Sequence, residues 1–173
     1  MTEVQNLDAE KLLADLLAQL KPIVTADTAL VGIYTGGVWL AERLHTALGI
    51  QVPLGTLDVS FYRDDFEFIG LHPQTRPSDI PFEVAGRHII LVDDVLYTGR
   101  TIRAAMNELF DYGRPASIRL AALVDRGGRQ LPIASEFVGA KIELPKTEAL
   151  SLEKDDNGKL MLYKQPWKRE SNA

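Results

Sequence analysis

Leu12, Leu13, Leu16, Leu17 and Leu20 recur at helical spacing with Asp8, Glu10 and Lys11 on the other side, which predicts an amphipathic helix over 8–21. Pro22 ends it. ALVGIY, residues 29–34, is short and apolar and runs into Thr35, Gly36 and Gly37, the pattern of a buried strand closing in a tight turn. Leu40, Ala41, Leu44, Ala47 and Leu48 then line one face of a second helix that Gly49 closes, giving a βα unit. TLDVSFY, residues 56–62, alternates, with Leu57, Val59 and Phe61 on one face and Thr56, Asp58 and Ser60 on the other.

From Arg63 to Pro81 the periodicity vanishes among Gly70, Pro73, Pro77 and Pro81, and a loop of that length inside one domain is expected to be a functional lid or a flexible segment. IILV, 89–92, reads as a strand. Ile102, Ala105, Met106 and Leu109 form a helical face, and SIRLAALV, 117–124, is another buried strand after a break at Gly113 to Pro115. Strands alternating with helices predict a parallel sheet flanked by helices on both faces, the α/β class, in one domain over 1–173. Further on, EFVG reads as an edge strand, the Asp156-Asn157-Gly158 turn joins LSLE to KLMLY as a hairpin, and a polar tail starts at Gln165.

Composition narrows the chemistry. With 46% hydrophobic and 25% charged residues in 173, one domain can build a full core. The chain has no cysteine, which excludes disulfides, thiol nucleophiles and thiolate metal sites and suits a reducing compartment. The first apolar stretch, LLADLLAQL, is interrupted by Asp15 and Gln19, and no run is long enough to span a bilayer, so the expected location is the cytoplasm, with no membrane partner. A net charge of -5 weighs against a chain built mainly to grip polyanions.

The densest chemistry lies in IILVDDVLYTGRT, residues 89–101, where an aliphatic run meets Asp93 and Asp94. Ligands of parallel sheets gather outside the carboxyl ends of the strands, which is where this pair is expected. After Val95 and Leu96, the stretch Tyr97, Thr98, Gly99, Arg100 and Thr101 supplies amides, hydroxyls and a guanidinium at the start of a helix, a setting suited to phosphate. Carboxylates would repel that phosphate, so they need another partner close by: sugar hydroxyls, or a magnesium ion shared with the ligand. The combination describes a phosphorylated sugar. Neither a P-loop nor a G-x-G-x-x-G fingerprint is present, and His45, His72 and His88 read as surface or local structure.

VDDVLYTGRT resembles the phosphoribosyl pyrophosphate (PRPP) signature of the type I phosphoribosyltransferases. DVSFYRDD, VDDVLYTGRTIRAAMNELFDYGRP and LVDRGGRQLPI extend the likeness over roughly residues 10–146, toward the branch that joins uracil phosphoribosyltransferase activity to regulation of the pyrimidine operon. The resemblance implies the type I fold with a flexible lid over about 63–81 and a small C-terminal hood over the base. It implies a PRPP-binding run from Asp93 through Val95 and Leu96 to Thr101, in which Asp93 and Asp94 hold the ribose 2- and 3-hydroxyls, with magnesium bound alongside PRPP, and Tyr97 to Thr101 hold the 5-phosphate. It assigns pyrophosphate to Thr35, Gly36 and Gly37, in a turn whose peptide geometry is often unusual in such enzymes, and gives the departing pyrophosphate a cation, Arg63. It sets Asp125, Arg126, Gly127 and Pro132 around the base, and it implies at least a homodimer.

The same resemblance implies binding of UMP or UTP and of operon leader RNA, with Arg119, Arg126, Arg129, Lys141 and Lys146 as the available basic residues. Two departures bear on this. The turn YTGG lacks the basic residues common in regulator-type relatives, and LLADLLAQL lacks the basic and hydroxyl groups that they present to RNA. A catalytically weak nucleotide sensor and a purine transferase on the same scaffold are the alternatives.

Overall fold

The computed structural model describes residues 2–3, 7–59 and 77–167. Thr2–Glu3 form a short first strand, β1. Asp8 starts the first helix, α1 (Ala9–Leu20), by accepting the N–H groups of Glu10 and Lys11 at 3.0 and 3.2 Å. Pro22 lies in a short 3-10 turn (Lys21–Ile23) that closes it. Strand β2 (Thr28–Ile33) is buried along its whole length and passes into α2 (Gly36–Leu48), which Gly49 ends in the left-handed conformation at φ 64°. Strand β3 (Gly55–Leu57) is shorter than the alternation over 56–62 predicts, and Ser60 to Tyr62 lie outside the described residues. The expected loop over 63–81 is described only from Pro77, and there Asp79 exchanges backbone hydrogen bonds with Thr56 at 2.8 and 2.9 Å.

Strand β4 (His88–Leu96), helix α3 (Arg100–Tyr112), strand β5 (Ser117–Asp125) and strand β6 (Phe137–Lys141) complete the main sheet. Its order is β3-β2-β4-β5-β6, and each neighbouring pair in it is parallel. Strand β4 is longer than the IILV run predicts, because it pairs with β5 from His88↔Ser117 through Leu96↔Asp125, so both aspartates sit inside the strand and not beyond it. The expected edge strand at EFVG is β6.

The two faces are covered by different helices, as strands alternating with helices require. Leu30, Ile90, Val92 and Leu123 meet Leu12, Leu16, Leu40 and Leu44 of α1 and α2. Val31, Ile33, Leu91 and Ala122 meet Ile102, Ala105 and Leu109 of α3. Each such aliphatic side chain fully withdrawn from water contributes about 1.5–3 kcal/mol, so the sandwich fixes the strand ends on which the site is built. Among the described residues no helix is long and apolar enough to cross a membrane.

A second sheet, of order β1-β8-β7, forms from β1 and the hairpin of β7 (Glu148–Lys154) and β8 (Leu160–Pro166). The hairpin turn is held by the Asp155 carboxylate, which accepts the N–H groups of Asn157 and Lys159. Strand β8 continues one residue beyond Gln165, and Trp167 N–H donates to Thr147 O, so the first part of the expected polar tail is paired. Leu150, Leu152, Leu160 and Leu162 join the core around α1. Glu10 helps to lock this sheet in place, accepting from Leu160 N–H at 2.9 Å while ion-paired to Arg43 of α2 at 2.6 Å. The Arg43 guanidinium beside Glu10 holds the Glu10 carboxyl below the usual carboxylate range, and the Leu160 bond acts in the same direction.

Candidate active site

From β2 the chain crosses to β3 on one side, and from β4 it crosses to β5 on the other. The carboxyl ends of β2 and β4 are therefore neighbours with their connections leading apart, the crevice where open parallel sheets take ligands. Two helices, α2 and α3, begin at that crevice, and the first-turn N–H groups of a helix have no partner within it.

The peptide bond between Tyr34 and Thr35 is cis, at the turn where the resemblance implies unusual geometry. This turn brings α2 hard against β4. A Cβ added to Gly36 would overlap Oδ2 of Asp94, and one on Gly37 would lie 2.5 Å from the carbonyl oxygen of Val92. Only residues without side chains allow the turn to approach the aspartates so closely, so the glycine pair and the acid pair form one structural unit.

Asp93 and Asp94 are buried, at 4% and 7% exposure. Each accepts the backbone N–H of the next residue: Asp94 N–H donates to Asp93 Oδ1 at 2.9 Å, and Val95 N–H to Asp94 Oδ1 at 2.8 Å. The bonds fix the orientation of both carboxylates. Oδ2 of Asp94 faces Gly36.

Beyond Leu96 the loop Tyr97 to Gly99 enters α3, with Gly99 at φ 94°. The loop is held from behind by the segment that follows β5. Thr98 O accepts the N–H groups of Gln130 and Leu131 at 2.9 and 3.2 Å, and Arg129 Nη1 donates to Tyr97 O at 2.5 Å. Thr98 is itself buried, its Oγ1 accepting Arg100 N–H at 3.2 Å, and the exposed Arg100 side chain donates to Gln130. Thr101 lies in the first turn of α3.

Of the four residues assigned to the base, three are drawn into this scaffold. Asp125 pairs with Arg129 at 2.5 Å and accepts Gly127 N–H. Arg126 is 3% exposed, and its guanidinium donates to the carbonyls of Glu148, Pro145 and Leu144 while lying 3.9 Å over the Tyr97 ring. Pro132 is exposed. Arg63 lies outside the described residues.

The basic residues named for RNA are unequally available. Arg126 is enclosed, Arg129 is engaged with Tyr97, Asp125 and Ile133, and Arg119 is ion-paired to Glu136 at 2.7 Å and stacked on Phe137. Lys141 and Lys146 are exposed.

The sequence did not assign Gln130, Gly128 or Trp167 to the support of the Tyr97 loop. Gly128, at φ 81°, leaves room for the Tyr97 ring, and that ring lies 6.0 Å from Trp167 at 56°. The consecutive glycines of DRGG were a readable sign of a tight turn, whereas nothing local marks Trp167 as a neighbour of Tyr97, 70 residues away by number.

The donor set suits a hard divalent cation, because it consists of carboxylate oxygens. Among the described residues no group of three or more His, Asp or Glu could enclose a metal, so an ion held by the two aspartates would have to take its remaining ligands from elsewhere.

Residues 3–151 match the family model described as the phosphoribosyl transferase domain. A bifunctional protein PyrR of Nitrosococcus oceani is 61% identical over 126 residues, covering 72% of this chain and 71% of that protein. Another of that name, from Pseudomonas fluorescens, is 57% identical over 139 residues, covering 80% and 83%. Among solved structures, a hypoxanthine-guanine phosphoribosyltransferase of Bacillus anthracis superposes with a TM-score of 0.64 at 20% identity, over 82% of this chain and 86% of that one, which shows the fold. With the crevice, the acid pair and the loop in place, these likenesses establish that the chain belongs to the type I phosphoribosyltransferase family and is similar within it to bifunctional PyrR proteins.

Proposed function

We propose that the chain is a uracil phosphoribosyltransferase, converting uracil and PRPP to UMP and pyrophosphate, and that it acts in the cytoplasm. The observation that carries this reading is the contact of Gly36 with the Asp94 carboxylate, which joins the pyrophosphate turn to the acid pair beside the Tyr97 to Thr101 loop.

In this reading the amides from Gly99 to Thr101 hold the 5-phosphate at the start of α3, where the helix end favours an anion. Asp93 and Asp94, oriented by their own backbone bonds, accept from the ribose 2- and 3-hydroxyls. The turn from Thr35 to Gly37 offers its amides to pyrophosphate. A magnesium ion bound with PRPP supplies charge neutralisation of the departing pyrophosphate. The C1–oxygen bond to pyrophosphate breaks, the bond from uracil N1 to C1 forms, and the N1 proton passes to solvent. No protein nucleophile is needed. The barrier is lowered by holding two substrates in line and by placing two fixed carboxylates near a sugar that gains positive charge.

Incubation with PRPP, magnesium and, separately, uracil, hypoxanthine, guanine and orotate tests the reading through pyrophosphate release. Release with uracil alone supports it. Release with purines makes the chain a purine transferase, and no release with any base leaves a nucleotide sensor.

The identity of 57–61% to proteins named bifunctional favours a second role, in which the same site reads UMP or UTP and controls binding to operon leader RNA. A gel shift with that leader at several salt concentrations, with and without UMP, tests this role. Contact with several phosphates requires affinity to fall steeply with salt, and a flat response contradicts it.

A further inference from the structure

Arg126 is the one buried cation among the described residues, and burying a guanidinium costs free energy unless its N–H groups find acceptors. Its acceptors are grouped. Nη1 reaches Glu148 O at 2.8 Å, at the first residue of β7, and Nη2 reaches Pro145 O at 3.1 Å, in the segment that leads into that strand. Its backbone N–H donates to Leu96 O at the end of β4. Its guanidinium carbon lies 3.9 Å over the centre of the Tyr97 ring, which also meets Gly128 and Trp167. One residue thus joins the end of β4, the entrance to β7 and the first residue of the phosphate loop.

We propose that Arg126 is a positioning residue for the phosphate loop, holding the Tyr97 ring against the second sheet and so setting the affinity of Tyr97 to Thr101 for the 5-phosphate end of PRPP. The inference rests on the reading that this loop takes that phosphate. Tyr97 directly precedes Thr98 and Gly99, so a tilt of Tyr97 turns the amides that follow away from a ligand. Arg129 holds the Tyr97 carbonyl, and the Arg126 guanidinium over the ring together with the tilted Trp167 ring beside it holds the side chain. The base has no part in this contact. The effect therefore belongs to one substrate.

Arg126→Lys, Tyr97→Leu and the double variant are compared with the parent chain by steady-state kinetics and by calorimetric titration with magnesium-PRPP, and their folding is followed by thermal melting. Lysine keeps the charge but cannot both bridge the two carbonyls and cover the ring. We expect each single change to raise KM for PRPP and the calorimetric Kd about tenfold, with kcat and KM for uracil altered by less than about threefold. The double variant should be no worse than the poorer single one, because both remove the same contact. Lower melting temperatures with unchanged PRPP affinity would overturn the inference, and so would additive losses. Should Arg126→Lys fail to fold, Tyr97→Leu alone decides, since it leaves the carbonyl bonds intact. A parent chain that binds no PRPP defeats the functional reading first, and that result is separate from a parent that binds it and variants that bind it equally well.

Discussion

Gly36 lies so close to Asp94 that a methyl group on its Cα would overlap the carboxylate Oδ2. Asp94 is buried and its other oxygen is held by Val95 N–H, so it can yield to such a methyl only by leaving its place. Gly36→Ala should therefore displace the acid without removing its charge. We expect kcat/KM for PRPP to fall about 100-fold, the scale of a displacement near 1 Å in an aligned site, with the melting temperature lowered by about 2–10 °C, the scale of an overpacked buried contact. Parental kinetics in a folded Gly36→Ala chain would show that the position of Asp94 has no bearing on turnover.

Asp93→Asn with Asp94→Asn makes the complementary change, keeping shape and removing charge. The amide oxygen of asparagine can still accept the N–H groups of Asp94 and Val95, so the strand should keep its form. Turnover should drop by about 1000-fold or more, because charge complementarity to the sugar and its cation is lost. Circular dichroism and steady-state kinetics on one preparation check both halves of this expectation.

The helices, the strands on the two helix-covered faces and the glycine turns were legible in the sequence, because Leu12 to Leu20 and Ile89 to Val92 carry their burial in their own periodicity. The full length of β4 was not. Asp93 and Asp94 look like the end of a strand by polarity, yet each buries its carboxylate by accepting the next N–H, so pairing continues to Leu96. The second sheet was legible only as a hairpin, since the pairing of Thr2 with Lys164 spans nearly the whole chain and leaves no local mark. The acid pair and the loop from Tyr97 to Thr101 stood out by residue type. The role of Arg126 did not, because its acceptors are backbone carbonyls, which any residue supplies.

Glu10 gives the fold a sensitivity to acid. Its carboxyl is held below the ordinary value of 4.5, chiefly by the hydrogen bond from Arg43, so the folded state binds that proton more weakly than the unfolded chain. The resulting stability is complete above the unfolded value and is lost as pH falls below 4.5 through the lowered one. Glu10→Gln should lower the melting temperature by about 2–4 °C at pH 7, the scale of one partly exposed ion pair in a chain of this size. The gap should close in acid, once the carboxyl of the parent chain is protonated in both states. A gap that stays constant with pH would assign the loss to packing.

The decisive experiment is a crystal structure of the chain grown with UMP. The 5-phosphate should lie on the amides of Gly99 to Thr101 at the start of α3, with the ribose 2- and 3-hydroxyls within hydrogen-bonding distance of Asp93 and Asp94. A nucleotide bound with its phosphate away from that loop, or with its ribose facing away from both aspartates, would contradict the assignment of the site.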